Sequence, residues 1–372
     1  MEPCPDPALS RREAPESLTH LHELQGQLIA LGAGPRHVQH LLRSWAQALP
    51  VERPRRRMET FLPKALREAW PGIEQALAGL AQLKSRHPAG DGAERLLAGL
   101  HDGQTVESVL LPRGGLCVST QVGCAVGCRF CMTGTEGLLR QVGSAEIVAQ
   151  VALARSLRAV NKVVFMGMGE PSHNLDAVLQ AIELLGTAGG IGHKNLVFST
   201  VGDERAFAAL PQGRVKPALA LSLHSTRPEL REHLLPRAPR IAPAALVQAA
   251  DDYARASGYP VQVQWTLLAG VNDGDDEVQG IVALMKGRRM MMNLILYNAV
   301  DGLPYQRPTM ERAAEMARAL NRQGVLTRLR HSAGQDVEGG CGQLRARESV
   351  KPVRVVRREP QERPRAGIGH PR

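Results

Sequence analysis

The chain has 372 residues, a net charge of +10, 43% hydrophobic residues and only 3% aromatics. That length suits one large α/β unit with a smaller appendage and excludes a disulfide-stapled miniprotein, so the six cysteines read as metal or redox chemistry. No apolar run approaches the roughly 18 to 20 residues of a membrane helix, and the start, MEPCPDPALSRRE, lacks the apolar core of a signal peptide. A cytoplasmic protein with no membrane partner is expected, and the basic surplus favours a polyanion such as nucleic acid.

Residues 1–16 are rich in Pro and Arg, show no periodicity and read as a flexible tail. Apolar residues at helical spacing predict helices over 17–31 and 35–49, the second opening with Pro35 after Gly34, and a third over 58–70. With the segment to residue 100 they predict a small helical N-terminal domain over 17–100, a candidate RNA contact. Its Gly32-Ala33-Gly34 turn is either a connector or a backbone contact to phosphate, and Arg53, Arg55, Arg56 and Arg57 form a basic knot nearby.

From about 101 to 347 short β-branched runs alternate with amphipathic stretches, the pattern of repeated β-α units with parallel strands. Strands are expected over 104–112, 116–122, 162–167, 195–201, 218–224, 261–269, 292–298 and 325–331, with helices at 144–158, 174–186, 243–257 and 309–323. A full or partial (β/α) barrel follows, and reactive residues should lie where strands end. The unusual polar or Gly-rich segments sit there: Cys124 to Cys131, Gly167 to Pro171, Ser199-Thr200, Ser222-Leu223-His224 and Tyr297-Asn298. Beyond them, residues 348–372 read as a basic flexible tail. Residues 343–372 hold nine Lys or Arg against three Glu, which suits either a solvated tail or phosphate contacts to RNA.

Cys124, Cys128 and Cys131 give a CxxxCxxC spacing inside one short loop. Structural zinc sites take four protein ligands from paired knuckles, and no second knuckle follows. A cubane [4Fe-4S] cluster needs one ligand per iron, so three cysteines leave one iron open for S-adenosylmethionine (SAM) to chelate. This is the spacing of the radical SAM superfamily, and Phe130 matches the aromatic residue common before the last cysteine. One β-α unit later, Met166-Gly167-Met168-Gly169-Glu170-Pro171 combines glycines, which let a ligand approach the backbone, with a carboxylate able to accept from a ligand ammonium. A tight turn is the plainer alternative.

VGCAVGCRFCMTG, FMGMGEP, SLH, GVNDG and CGQL, in this order, resemble the RlmN/Cfr family of RNA adenine methyltransferases over roughly residues 20–347. The resemblance implies a radical SAM partial (β/α) barrel with a small helical N-terminal domain. It implies a cluster on Cys124, Cys128 and Cys131, and SAM contacts from Gly169, Glu170, Ser199, Ser222, Leu223, His224 and Asn298. By residue type alone, His224 could be a buried structural histidine and Asn298 a turn former. Cys117 and Cys341 could each be a buried apolar thiol, but in this family the pair is catalytic.

The implied mechanism begins with SAM methylating Cys341 by polar displacement. A radical from a second SAM removes hydrogen from that methyl group, and the resulting methylene radical adds to an adenine carbon that is too electron-poor to attack SAM itself. Glu107, otherwise readable as a solvent-facing strand residue, matches the family's general base, and Cys117 would release the product by forming a disulfide with Cys341. The target would be C2, in preference to C8, of an adenosine in rRNA or tRNA, with a flavodoxin-type reductant as electron donor. The alternatives are a radical SAM enzyme acting on a non-RNA substrate and a non-catalytic zinc-dependent RNA-binding protein. Two departures from the family pattern, Val201 after Ser199-Thr200 and Ala333 in the approach to Asp336, bear on the choice of RNA, and Cys4 has no evident role.

Overall fold

A computed structural model describes residues 18–52, 57–135 and 137–346. The expected tails, Cys4, Arg53, Arg55 and Arg56 lie outside these residues. The described chain opens with helices α1 (Leu21–Ala30), α2 (Pro35–Ala46), α3 (Met58–Phe61) and α4 (Lys64–Gly79). Their starts are written locally: Glu23 accepts from the His20 N–H at 2.9 Å, and Pro35 takes the first turn of α2, where no amide is needed. The single helix expected over 58–70 is two, because Pro63 stands at the break.

Residues 82–99, expected within the helical N-terminal segment, instead form strands β1 (Gln82–Pro88) and β2 (Glu94–Gly99). Exposure alternates along β1 while every residue of β2 is buried. The short, mostly polar β1 sequence QLKSRHP gives little signal, because one of its faces is solvated. The hairpin pairs with β3 (Thr105–Leu111), which turns back through β4 (Gly115–Cys117). Beyond β4 the chain enters a small side ladder, β5 (Gln121–Gly123) with β6 (Leu138–Gln141), so the strand expected over 116–122 is divided between two sheets.

The remaining strands are β7 (Lys162–Phe165), β8 (Leu196–Thr200), β9 (Ala218–Ser222), β10 (Val261–Leu267), β11 (Met290–Leu296) and β12 (Thr327–Arg330). From β4 to β12 every neighbouring pair is parallel, in the order β4-β7-β8-β9-β10-β11-β12. Connecting helices are α5 (Ser144–Leu157), α6 (Leu175–Gly186), α7 (Glu204–Ala209), α8 (Pro228–Leu234), α9 (Pro243–Ser257), α10 (Asp275–Met285) and α11 (Met310–Arg322). The fold is α/β, a partial (β/α) barrel of parallel strands extended at one edge by the antiparallel β1-β2-β3 unit.

The N-terminal helices pack on this barrel through α5. Leu21 N donates to Ser144 Oγ at 2.9 Å, and Arg155 Nη1 donates to the Ala46 carbonyl at 2.6 Å. Helix α5 is accordingly buried almost all round its first two turns, the pattern of a helix covered on both sides. Among the described residues no helix is long and apolar enough to cross a membrane.

Candidate active site

The loop after β5 carries Cys124, Cys128 and Cys131, and two close approaches fix its path. At Gly123, with φ +76, a Cβ would lie 2.0 Å from the Gly137 carbonyl, and at Gly134 one would lie 2.8 Å from Gly127 Cα. Only glycine fits the first position, on both torsion and space. The three sulfurs feel one another's charge, and burial pushes all three thiols up, Cys124 to about 12. Backbone N–H groups nevertheless point at sulfur, those of Val126 and Gly127 at Cys124 and those of Thr133 and Gly134 at Cys131. A pocket that disfavours free thiolate yet supplies donors to it fits a metal centre that replaces the protons. Among the described residues no three ligand side chains converge tightly enough for a single ion; a cubane takes one thiolate at each iron.

Segments from the neighbouring strand ends face this loop. After β7, Gly169 (φ +103) presses on Gln121, where a Cβ would come within 2.6 Å of its side chain. Buried Glu170 accepts from Ser172 N and Oγ at 3.1 and 2.8 Å and from Val201 N at 3.0 Å. Ser199 is the penultimate residue of β8, Ser222 ends β9, and Leu223 is fully buried behind it. His224 adopts φ +63 and stacks edge-on against Phe130, centroids 4.9 Å apart. Burial, helped by Arg231, lowers its pKa to about 3, so the ring is neutral; Nδ1 accepts from Thr266 N at 3.0 Å, which leaves the proton on Nε2. Asn298 follows β11, and its Nδ2 donates to Ser332 Oγ and to the Cys341 carbonyl, both at 2.9 Å. Its Oδ1 is buried without a partner, an acceptor suited to a ligand N–H or O–H.

Cys341 is exposed on a C-terminal strap laid across the mouth of the barrel. The strap is bonded to the cluster loop, Met132 N to the Gly342 carbonyl at 2.7 Å and Thr133 Oγ1 to the Leu344 carbonyl at 2.6 Å. Cys117 ends β4, buried, and both cysteines are free thiols. Burial raises the Cys117 thiol far above its usual range, and Cys341 adds to the rise, so the two sulfurs lie within electrostatic reach of each other.

Glu107 lies two residues along β3 from Val109, the register partner of Cys117, and so on the same face of the strand as Val109. It is fully buried, which overturns the solvent-facing alternative. Its carboxylate pairs with buried Arg95 on β2 and accepts from Arg345 N at 2.8 Å. A cleft of about 190 Å³, lined in part by Thr105, Met132, Met168 and Arg345, opens beside the strap and the cluster loop.

Thus every residue expected to hold the cluster, contact SAM or act in catalysis lies in the cysteine loop, at or just after a strand end, on the strap or on the β3–β4 pair next to it. Arg95, Gln121, Thr133 and Arg231 escaped notice. Arg231 looks from sequence like the polar face of a short helix, between Glu229 and Glu232, and only its burial marks it.

A profile of the Radical SAM superfamily matches residues 118–283. The chain is 71% identical to a probable RNA methyltransferase of Methylibium petroleiphilum over 340 residues, covering 91% of this chain and 96% of the relative. It is 67% identical to a probable RNA methyltransferase of Aromatoleum aromaticum over 327 residues, covering 88% and 92%. The crystal structure of a radical SAM methyltransferase from Sphaerobacter thermophilus superposes with a TM-score of 0.77 at 32% identity, covering 88% of this chain and 98% of that one.

Proposed function

Since the chain belongs to the radical SAM family of RNA methyltransferases, we propose that it places a methyl-derived carbon on an adenine of rRNA or tRNA, C2 in preference to C8, through Cys341. The observation that carries this reading is the strap. It brings Cys341 beside the cluster loop, ties its carbonyl to Asn298 and puts its sulfur where its charge is felt at Cys117.

Cys124, Cys128 and Cys131 would hold the [4Fe-4S] cluster, whose bound form supplies the electron that cleaves the SAM sulfonium. Gly169 gives the ligand access to the backbone, and Glu170 offers its carboxylate to the SAM ammonium. Asn298 Oδ1 and the Nε2–H of neutral His224 present an acceptor and a donor, while Ser199, Ser222 and Leu223 line the remaining strand ends. Exposed Cys341 is the methyl carrier. Buried Cys117 is held protonated until Cys341 is alkylated and the adduct calls for a thiolate, a thiol better kept inert between turnovers.

Glu107 is the proton acceptor of this scheme. Both of its oxygens are engaged, one by Arg95 and the other by the Arg345 N–H. It gains access to an adenine C–H only when the strap lifts from it, so RNA entry and base exposure become one event. The flavodoxin-type reductant of the family serves as electron donor in this reading.

The deciding experiment combines anaerobic purification with mass spectrometry of rRNA and tRNA digests from cells with and without the gene. About four irons per chain and a methyladenosine lost with the gene are expected. C341A should abolish the modification, and C117A should leave chain and RNA covalently joined. Colourless protein with stoichiometric zinc, or full turnover by C341A, would overturn the proposal.

A further inference from the structure

Arg231, on α8, is only 3% exposed. One Nη donates to the carbonyl of Val201, while Nε is buried with no partner. Among the described residues no carboxylate pairs with it. An arginine withdrawn from water without an anion is costly, and it persists where a partner arrives from outside.

Its surroundings indicate what that partner is. The Val201 residue that receives the guanidinium on its carbonyl gives its N–H to Glu170 at 3.0 Å, so one residue separates a carboxylate from a cation. Cys128 and Glu170 are the acidic groups whose charge Arg231 feels most. The end of α8 and the turn after it grip the cysteine loop, Arg129 N donating to the Leu234 carbonyl at 3.0 Å and Arg237 N to the Val126 carbonyl at 3.2 Å. Val126, Phe130, Leu234 and Leu235 close an apolar cluster around the same loop. Metal-bound thiolates and an amino-acid carboxylate entering this dry space would bring negative charge into it, and Arg231 is the buried cation there, whereas Arg237, whose guanidinium lies against Gly127 of the loop, is exposed.

We propose that Arg231 is the fixed counter-cation of the cofactor site, a positioning residue whose guanidinium offsets the charge of the thiolate-bound cluster and holds the α-carboxylate end of SAM. This rests on reading Cys124, Cys128 and Cys131 as cluster ligands, and is independent of the RNA target and of Cys341. Glu170 and Arg231 then form a matched pair for the two charged groups of an amino acid, ammonium to one and carboxylate to the other.

The test uses full-length wild-type, R231M and R231K protein reconstituted anaerobically. Iron content, cluster midpoint potential without SAM by EPR-monitored titration, the Kd for SAM and the Tm are measured. Methionine fills the volume without charge, so R231M should fold with an undiminished Tm, bind SAM roughly tenfold more weakly or worse, and show a more negative potential because a cation near the cluster favours its reduced form. R231K should restore the potential and part of the affinity. Wild-type potential and SAM affinity in R231M would reduce Arg231 to packing and sink the inference. Should R231M fail to take up iron, recovery in R231K supports the charge role, and an equal deficit in folded R231K refutes it. Wild-type protein that takes up no iron would instead defeat the reading of the cysteines.

Discussion

Arg95 and Glu107 face each other from adjacent strands, both shielded from water. Burial raises the Glu107 carboxyl above its ordinary 4.5, while Arg95 and the strap amides oppose the rise. R95M would leave a buried carboxylate without its cation, at an expected cost of about 3–5 kcal/mol in denaturant unfolding. An added E107Q should recover part of that loss. The pH dependence has a defined sign: with the folded pKa above the unfolded value, the unfolded chain releases its proton first, so stability falls as pH rises from 4.5 through the raised pKa. R95M should carry this fall to higher pH and E107Q should abolish it; a pH-independent penalty in R95M would mean that the pair matters only through packing. That Glu107 was worth singling out was legible from the family motif. That it is buried and engaged was not, because Arg95 lies on a hairpin whose short strands carry little periodic signal.

The cysteine loop depends on glycines that are not equivalent. Gly123 and Gly137 both adopt positive φ, +76 and +75, yet a Cβ at Gly123 meets the Gly137 carbonyl at 2.0 Å while one at Gly137 meets nothing within 4 Å. G137A should therefore cost only the torsional strain, about 1–2 kcal/mol. G123A must move backbone as well, and should lose more stability and also iron. Equal iron content in the two variants, measured after anaerobic reconstitution, would show that the loop tolerates the shift. The strap depends on contacts across the whole chain, since Asp336 accepts from Gly90 N and Asp91 accepts from Gly334 N, both at 2.9 Å. These reciprocal latches join residues more than 240 positions apart, a pairing that no local pattern encodes.

One apolar cluster runs from Leu18 through the barrel to Leu344, so the N-terminal helices and the strap share a core with the sheet that bears the site. If the +10 charge of the chain attracts RNA at long range and several phosphates are neutralised, affinity should fall roughly tenfold or more between 50 and 200 mM salt. Filter binding across that range checks this, and a flat response would assign the surplus to solubility. By itself the sequence determined the α/β class, the run of β-α units with parallel strands, and the cysteine loop among polar and Gly-rich strand ends, because β-branched runs, glycine turns and cysteine spacing are local signals. Only the tertiary structure decided that residues 82–99 extend the sheet, that Glu107 lies under the strap and that Arg231 turns inward. Those outcomes depend on which surfaces lose water when distant segments meet, and burial is a property of the folded whole.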